Sequence, residues 1–289
     1  MKRFDYLAPR SLEEALQMLS HRPEAIPLAG GTDLLVQVQG GQRRVAALLS
    51  LKRVPEVHLY AGNGQLALGA AVTVGQIAAD PQVERHYTAL ALGAGLIGSV
   101  QVRNVATVGG NLCNAAPSAD TAPPLLVLGA QVVIVGSQGE RTLPLESFFL
   151  APGQTVLRPG ELLKEIIVPG PAECSGSFYV RHTPRARMDI AVVGVAAAIT
   201  LGDGDVIVEA RLALGAVAPV PLRALRAEAL LTGHVLDDEL LRAAGAAAAQ
   251  EAQPIDDLRA SAEYRRHLVD VLTRRSLRGA LARAQEKRG

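Results

Sequence analysis

At 289 residues the chain is too long for one small domain and long enough for two or three modules, each with a core of its own. Twenty-nine Lys and Arg against 28 Asp and Glu leave a formal charge of +1, which offers no basic surplus for nucleic acid or an anionic membrane, so a small molecule or another protein is the expected partner. Hydrophobic residues make up 49% of the chain, aromatics only 3%, and no stretch approaches the roughly 18 apolar residues of a membrane helix, so an aliphatic globular core without a membrane span is expected.

In chain order, Ser11 with Glu14 three residues on has the form of a capping box, followed by Leu12, Ala15, Leu16 and Leu19 at helical spacing. Ala25 to Leu28 predicts a strand entering the loop Ala29-Gly30-Gly31, with Thr32 or Asp33 capping a helix from about Leu34, and Ala46 to Leu51 predicts a second strand. Val57 to Tyr60 and Leu66 to Leu68, joined by Gly62-Asn63-Gly64, read as a hairpin. Thr73 caps a short helix through Ala79, and Thr88 to Ile97 forms another. Beyond them Val132 to Val135, Thr142 to Leu143 and Leu162 to Val168 read as strands. From Gly176 the strands Ser177 to Val180, Ala191 to Leu201 and Val206 to Leu214 precede helices at Arg223 to Leu231, Glu239 to Ala249 and Glu263 to Gln285. The last of these carries Tyr264, Leu268, Val271, Leu272 and Leu277 toward one side. The fold class is therefore α+β, in three units: 1–55, 56–171, and 174–289 with a three-stranded antiparallel sheet under a helical layer.

Asp5, Glu13 and Glu14 interrupt the N-terminal stretch where a signal peptide needs an apolar core, so a cytoplasmic protein is expected. Cys113 and Cys174 then read as reduced thiols. Two thiols cannot hold a cysteine-ligated iron–sulfur cluster, and the six His show no metal-ligand spacing, so no metal is expected in this chain.

The chemistry concentrates at two glycine pairs. In "AGGTDLL", residues 29–35, glycine backbone can turn successive N–H groups into one concavity ahead of a helix start, which suits an anion, although a lone Gly-Gly is more often a plain turn. The second pair lies in "QVRNVATVGGNLCNAAPSADTAPPLLVLGA", residues 101–130, whose Pro123-Pro124 reads as a stiff exit from a loop. Neither pair has the spaced glycines of a dinucleotide fingerprint or the Gly-Lys-Ser/Thr of a P-loop.

Together these two segments, with "SFFLAPGQTVLRPGELLKEIIVP" and "SFYVRHTPRARMDIAVVGVA", closely resemble the FAD-binding subunit of molybdenum hydroxylases, the family of carbon monoxide dehydrogenase medium subunits and of the flavin portion of xanthine dehydrogenase. The resemblance spans essentially the whole chain. It implies a two-part FAD-binding domain of the vanillyl-alcohol-oxidase (PCMH) type followed by the family's C-terminal flavoprotein domain, with FAD held non-covalently. It further implies that Ala29, Gly30, Gly31, Thr32 and Asp33, flanked by Leu28 and Leu34, wrap the pyrophosphate, and that Thr107, Gly109, Gly110 and Asn111 form a second phosphate loop. Asp120 would accept from a cofactor hydroxyl, Ile97 would lie against the isoalloxazine, and the Leu163 backbone would reach the ring's polar edge. Arg181 would either place a cation near the flavin or pair with Asp189. Cys113 would be a small apolar filler.

By the same resemblance, the chain carries FAD as an electron-transfer subunit. It would take electrons from [2Fe–2S] clusters in a small subunit, fed by a molybdenum–pterin cofactor in a large subunit, and pass them to NAD, quinone or O₂ within a dimer of heterotrimers. No catalytic acid–base residue of its own is expected, and no Ser/His/Asp or HExxH arrangement is present. Two other readings stay open: a self-sufficient FAD oxidase or dehydrogenase of the same superfamily, and a non-enzymatic nucleotide-binding module.

Overall fold

The computed structural model describes residues 3–62, 64–185 and 188–288. The chain begins with β1 (Asp5–Leu7), α1 (Leu12–His21), β2 (Ala25–Leu28), α2 (Leu34–Gln39) and β3 (Ala47–Ser50). These three strands form a parallel sheet in the order β1-β3-β2, with Ala47 opposite both Asp5 and Ala25. Helix α1 is capped as its sequence suggests on one side only. Ser11 Oγ accepts from the Glu14 N–H at 3.1 Å, whereas the Glu14 carboxylate takes the Arg10 N–H at 2.7 Å instead of returning to Ser11.

Next come β4 (Tyr60–Gly62), β5 (Leu66–Gly69), α3 (Val74–Ala79), α4 (Pro81–His86), α5 (Thr88–Leu96), α6 (Val100–Arg103), α7 (Val108–Cys113), α8 (Ala122–Val127), β6 (Gln131–Gly136), β7 (Gly139–Pro144), β8 (Phe149–Ala151), β9 (Gln154–Thr155) and β10 (Leu162–Val168). The hairpin exists, but Val57 and His58 belong to a 3₁₀ turn over Pro55–His58 and not to its first strand. Pro55 presets φ for that turn, and Val57 is fully buried beneath it. Asn63, in the expected turn, lies outside the described residues. Strand β10 occupies the centre of an antiparallel five-stranded sheet, β4-β5-β10-β6-β7, and a separate ribbon pairs β8 with β9. Helix α3 has the full capping box at Thr73 and Gln76.

Two elements depart from the loop expected around the second glycine pair. Gly109 and Gly110 sit inside α7, whose cap is Thr107, and Pro123-Pro124 sits in the first turn of α8. Both follow from the position of the residues within a helix. Proline costs nothing where helical N–H groups have no partner anyway, and a Thr three residues before a free N–H caps it.

The C-terminal part has β11 (Ser175–His182), β12 (Val193–Leu201), β13 (Ile207–Gly215), β14 (Leu222–Arg223), α9 (Leu225–Leu231), α10 (Asp238–Glu251) and α11 (Ala262–Glu286). The sheet has four strands, β11-β12-β13-β14, and not three, because two residues after Pro221 add to the edge of β13. Helix α11 lies directly on β11. Gly279 and Gly176 permit this, since a Cβ on Gly279 would meet the Phe178 ring at 2.4 Å and one on Gly176 the Ala280 carbonyl oxygen at 2.2 Å. The buried stripe of α11 runs through Arg265, Leu268, Val269, Leu272, Leu277 and Ala280. Tyr264 is turned outward and packs edge-on to His182, which corrects the expected face. Three cores result: one under the first sheet that also takes in Val135 and Leu162, one among α3, α5, α8 and the five-stranded sheet, and one between the last sheet and α9–α11.

Candidate functional site

A cleft of 440 Å³ opens where the first sheet meets the second. Its walls come from four distant stretches: Ala25–Leu34 with Gln37 and Arg43, Ile97, Ala106–Asn114, and Leu157–Leu163. The volume lies within the roughly 300–1,000 Å³ usual for small-molecule sites. Thirteen of the residues expected from the sequence are brought together here, namely Leu28, Ala29, Gly30, Gly31, Thr32, Asp33, Leu34, Ile97, Thr107, Gly109, Gly110, Asn111 and Leu163. Asp120 and Arg181 are not among the lining residues.

The first glycine segment offers a row of donors. Among the described residues nothing accepts a hydrogen bond from the N–H groups of Ala29, Gly30, Gly31, Thr32, Asp33 or Leu34, and the first N–H of the α2 region to be satisfied is that of Leu35, at 3.0 Å from the Gly31 oxygen. Gly31 makes the turn with φ +74°. Gly30 is required for a different reason, because a Cβ there would lie 2.1 Å from the Val105 carbonyl oxygen, so backbone meets backbone between the two glycine segments. Neither Thr32 nor Asp33 caps α2 with its side chain. Burial pushes the Asp33 carboxyl above its ordinary value. That carboxyl and the Thr32 hydroxyl are left available to a ligand.

The second segment behaves differently. Thr107 Oγ1 accepts from the Gly110 N–H at 3.1 Å, and the Gly109 N–H goes to the Ala70 oxygen at 2.9 Å. Those two donors are spent inside the protein, so this segment offers the cleft fewer free N–H groups than the first. A Cβ on Gly109 would fall 2.5 Å from the Ala70 oxygen, which is why this turn also needs glycine. Asn111 Oδ1 accepts from the Thr121 hydroxyl at 2.6 Å, and across the cleft Gln37 Nε2 lies 3.5 Å from Asn114 Oδ1. Cys113 lines the cleft, and burial pushes its thiol up to about 12, which keeps it a neutral filler.

Asp120 and Arg181 are partners of each other. Arg181 Nη1 donates to Asp120 Oδ2, Arg181 Nη2 donates to the Leu96 carbonyl at 2.9 Å, and the Tyr179 hydroxyl donates to Asp120 Oδ1 at 2.8 Å. Both charged side chains are almost wholly buried, at 8% and 4% exposure. A buried carboxylate has to be paired, and Asp120 takes one hydrogen bond on each oxygen, from Arg181 and from Tyr179. Asp189, the other partner considered for Arg181, bonds instead to Arg185. Burial pushes the Asp120 carboxyl up, against the pull of the Arg181 guanidinium and the Tyr179 hydroxyl.

Sequence reading missed Gln37, Arg43, Asn114 and the turn Leu157–Glu161. Their only local sign is the Arg158-Pro159-Gly160 turn, in which Gly160 has φ +82°. Arg43 and Arg158 are the two arginines on the cleft wall. Among the described residues, no group of three or more His, Cys, Asp and Glu is placed to hold a metal, and no helix is long and apolar enough to cross a membrane.

A two-sheet cleft with one wall of bare backbone donors defines a binder of an extended anionic cofactor, and comparison with known proteins specifies which. Residues 2–171 match the FAD binding domain in molybdopterin dehydrogenase, and residues 178–280 match the CO dehydrogenase flavoprotein C-terminal domain. The chain belongs to the family of FAD-binding subunits of molybdenum hydroxylases, as a subunit of an oxidoreductase. It is 36% identical over 285 residues to a putative xanthine dehydrogenase FAD-binding subunit of Escherichia coli (strain K12), covering 98% of this chain and 97% of that one. It is 32% identical over 283 residues to the carbon monoxide dehydrogenase medium chain of Hydrogenophaga pseudoflava, covering 97% and 98%. Among solved structures, carbon monoxide dehydrogenase from Hydrogenophaga pseudoflava, in a form lacking the Mo-pyranopterin moiety, superimposes with a TM-score of 0.93 at 33% identity over 98% of each chain. Quinoline 2-oxidoreductase from Pseudomonas putida 86 gives a TM-score of 0.91 at 31% identity over 99% of each chain.

Proposed function

We propose that this chain is the FAD-carrying electron-transfer subunit of a molybdenum hydroxylase. In this reading it takes electrons from [2Fe–2S] clusters of a small partner subunit, and a large subunit holds the molybdenum–pterin cofactor. The assembly is a cytoplasmic dimer of heterotrimers, and the division 1–55, 56–171 and 174–289 corresponds to two halves of a PCMH-type FAD-binding domain and a C-terminal domain. Bound FAD would supply the two-electron chemistry that links one-electron clusters to NAD, quinone or O₂.

The single observation that carries the reading is the row of unpaired N–H groups from Ala29 to Leu34 opening into the 440 Å³ cleft. Six consecutive donors with no acceptor among the described residues fit a diphosphate, because each would otherwise stay unsatisfied once water is displaced. Arg43 and Arg158 would add positive charge at the same cleft. Asp33 and Thr32, which line the cleft and whose side chains have no partner among the described residues, would accept from cofactor hydroxyls beside Asp120. Ile97 and Leu163 supply an apolar wall, and Cys113 lies on the same wall as a thiol that burial keeps neutral.

The test is an absorption spectrum of the purified chain before and after adding FAD, with mass spectrometry of the acid-released cofactor. Flavin bands accompanied by intact FAD support the reading. A colourless protein, alone and co-purified with its partners, sinks it. Bleaching of the bound flavin by an alcohol or amine in the absence of partners would transfer the case to a self-sufficient oxidase.

A further inference from the structure

We propose that a second cavity, of 160 Å³ at the junction of the FAD-binding and C-terminal domains, binds a small oxyanion of phosphate size, with Arg211 and the hydroxyls of Tyr87, Ser177 and Thr200 as its donors. This site shares no lining residue with the cofactor cleft.

The cavity follows from the register of the last sheet. Ser177, Ala198 and Arg211 stand opposite one another across β11, β12 and β13, and Ser175, Thr200 and Glu209 make the next row. Rows two residues apart project from the same face. Further along that face the row Tyr179, Ala196 and Ala213 is buried in the core that the sheet shares with α3, α5 and α8. The face is therefore apolar where it is dry and turns polar where the cavity lies. The facing wall is His86 and Tyr87 at the end of α4, Val127 and Leu128 of α8, and the stretch Pro169–Ala172.

Several donors on these walls have no acceptor among the described residues. Tyr87 is only 7% exposed, yet its hydroxyl has no partner in the protein, and burial pushes the phenol above its ordinary value so that it stays a neutral donor. Ser177, also buried, accepts from the Ala89 N–H at 3.1 Å, which leaves its own O–H to give. The Thr200 hydroxyl is likewise unpartnered. Arg211 uses Nε on Glu209 Oε1 at 2.8 Å and keeps both Nη groups, in a place that Gly129 leaves open with its φ of +68° and its missing Cβ, which would stand 2.3 Å from Nη1.

The charge around the cavity has the same sign as its donors. Burial, Lys287 and Arg85 all push the His86 imidazole below its ordinary value, and burial, Arg85 and Arg283 do the same to Lys287. Water would satisfy hydroxyls and guanidinium N–H groups but would leave this positive charge uncompensated, whereas an oxyanion answers both. The size fits as well. A water needs about 10–15 Å³ of such volume, so the cavity has room for about ten, enough for a phosphate with its hydration. It is well below the roughly 300–1,000 Å³ of sites for larger organic ligands.

The experiment uses the full chain with its flavin bound, and with its partner subunits if it requires them, so that the N–H row of the cofactor cleft is already filled. Equilibrium dialysis against radiolabelled inorganic phosphate at fixed ionic strength, alongside thermal unfolding, is carried out on wild type, Arg211→Gln and Tyr87→Phe. The control is Arg278→Gln, which removes an exposed pair with Asp238 far from the lining residues in sequence and absent from the cavity wall. Wild type should bind one phosphate per chain with Kd of about 1 mM or lower, Arg211→Gln should weaken this by about tenfold or more, and Arg278→Gln should match wild type. Tyr87→Phe should weaken it severalfold while leaving the phosphate-free Tm unchanged or raised, since it deletes a hydroxyl that has no protein partner. A parallel titration with glycerol 3-phosphate separates the sources: tighter binding than inorganic phosphate identifies a phosphate carried on a small organic molecule, weaker binding identifies the free anion, and either supports the site if Arg211→Gln abolishes it. If neither probe binds at about 10 mM, the cavity holds water only and the proposal is overturned. Binding that Arg211→Gln and Tyr87→Phe leave unchanged overturns it too, because the anion then sits elsewhere. If Arg211→Gln does not fold, Tyr87→Phe decides alone. Flavin content measured in the same samples reports on the cofactor cleft independently.

Discussion

Replacing Gly30 by alanine tests the site through its tightest backbone contact. The added Cβ would stand 2.1 Å from the Val105 carbonyl oxygen and 3.1 Å from the Ala106 Cα. A carbon and a carbonyl oxygen settle at about 3.3 Å or more, so the two segments have to separate by about 1 Å. Neither can do so by a side-chain rotation, because both partners are backbone. Overpacking of this kind costs about 1–3 kcal/mol of stability. The larger effect is on the ligand: a shift of about 1 Å takes hydrogen bonds from the N–H row beyond useful length, and each bond to a charged group is worth about 1.5–3 kcal/mol. Loss of one or two such bonds corresponds to FAD binding weakened by about tenfold to about ten-thousandfold. Gly41→Ala is the comparison, since Gly41 has φ +73° but nothing within 4 Å of its Cβ position, so it bears about 1–2 kcal/mol of backbone strain and no clash. Titration of each protein with FAD by fluorescence quenching, alongside thermal unfolding, gives both quantities. An FAD affinity of Gly30→Ala within twofold of Gly41→Ala would refute the assignment of this contact to the cofactor wall.

Three further outcomes follow from the same structure. With its thiol pushed up to about 12, Cys113 should alkylate at pH 8 roughly a thousandfold more slowly than an ordinary cysteine, so peptide mass mapping after brief iodoacetamide treatment should find label at Cys174 and at Cys113 only after denaturation. The Arg141 guanidinium bonds to Glu161 and holds its carboxyl below the ordinary value of 4.5; a depressed folded pKa stabilises above the unfolded pKa and is lost as pH falls through the folded one. The stability gap between wild type and Glu161→Gln should therefore be open at neutral pH, reach at most about 1 kcal/mol because the pair is partly exposed, and close progressively as pH falls below about 4.5. Leu90→Ala, which truncates a fully buried side chain of α5, should cost about 2–5 kcal/mol in chemical unfolding, and a loss under about 1 kcal/mol would contradict the packing described here.

Local sequence conveyed most of the elements and half of the site's logic. Thr73 with Gln76, the apolar Leu162–Val168 run bounded by turns and the Gly30-Gly31 pair each announce their structure within a few residues, since caps, turn-bounded strands and left-handed turns are local effects. Helix α7 was hidden because Gly109 and Gly110 lower helix propensity. They are tolerated because the turn approaches the Ala70 backbone too closely for any larger residue. The partner of Arg181 was equally hidden. Asp120 stands 61 positions away, whereas Asp189 is near in sequence, and burial between two domains selects the distant one. Arg43, Asn114 and Arg158 reach the cleft only through the packing of the sheets, for which no short stretch of sequence carries a sign.

The central place of β10 has a consequence for biosynthesis. Strand β5 ends at Gly69, yet its neighbour in the sheet begins only at Leu162 and must slot between β5 and β6. At about 5–20 residues per second, a ribosome makes that strand roughly 5–20 s after its partner. Until then the nascent chain exposes two hairpins with open inner edges, the kind of surface that chaperones cover. Leu163, one of the cleft's walls, arrives in the same strand. The strand that closes the sheet is therefore also the one that completes the pocket.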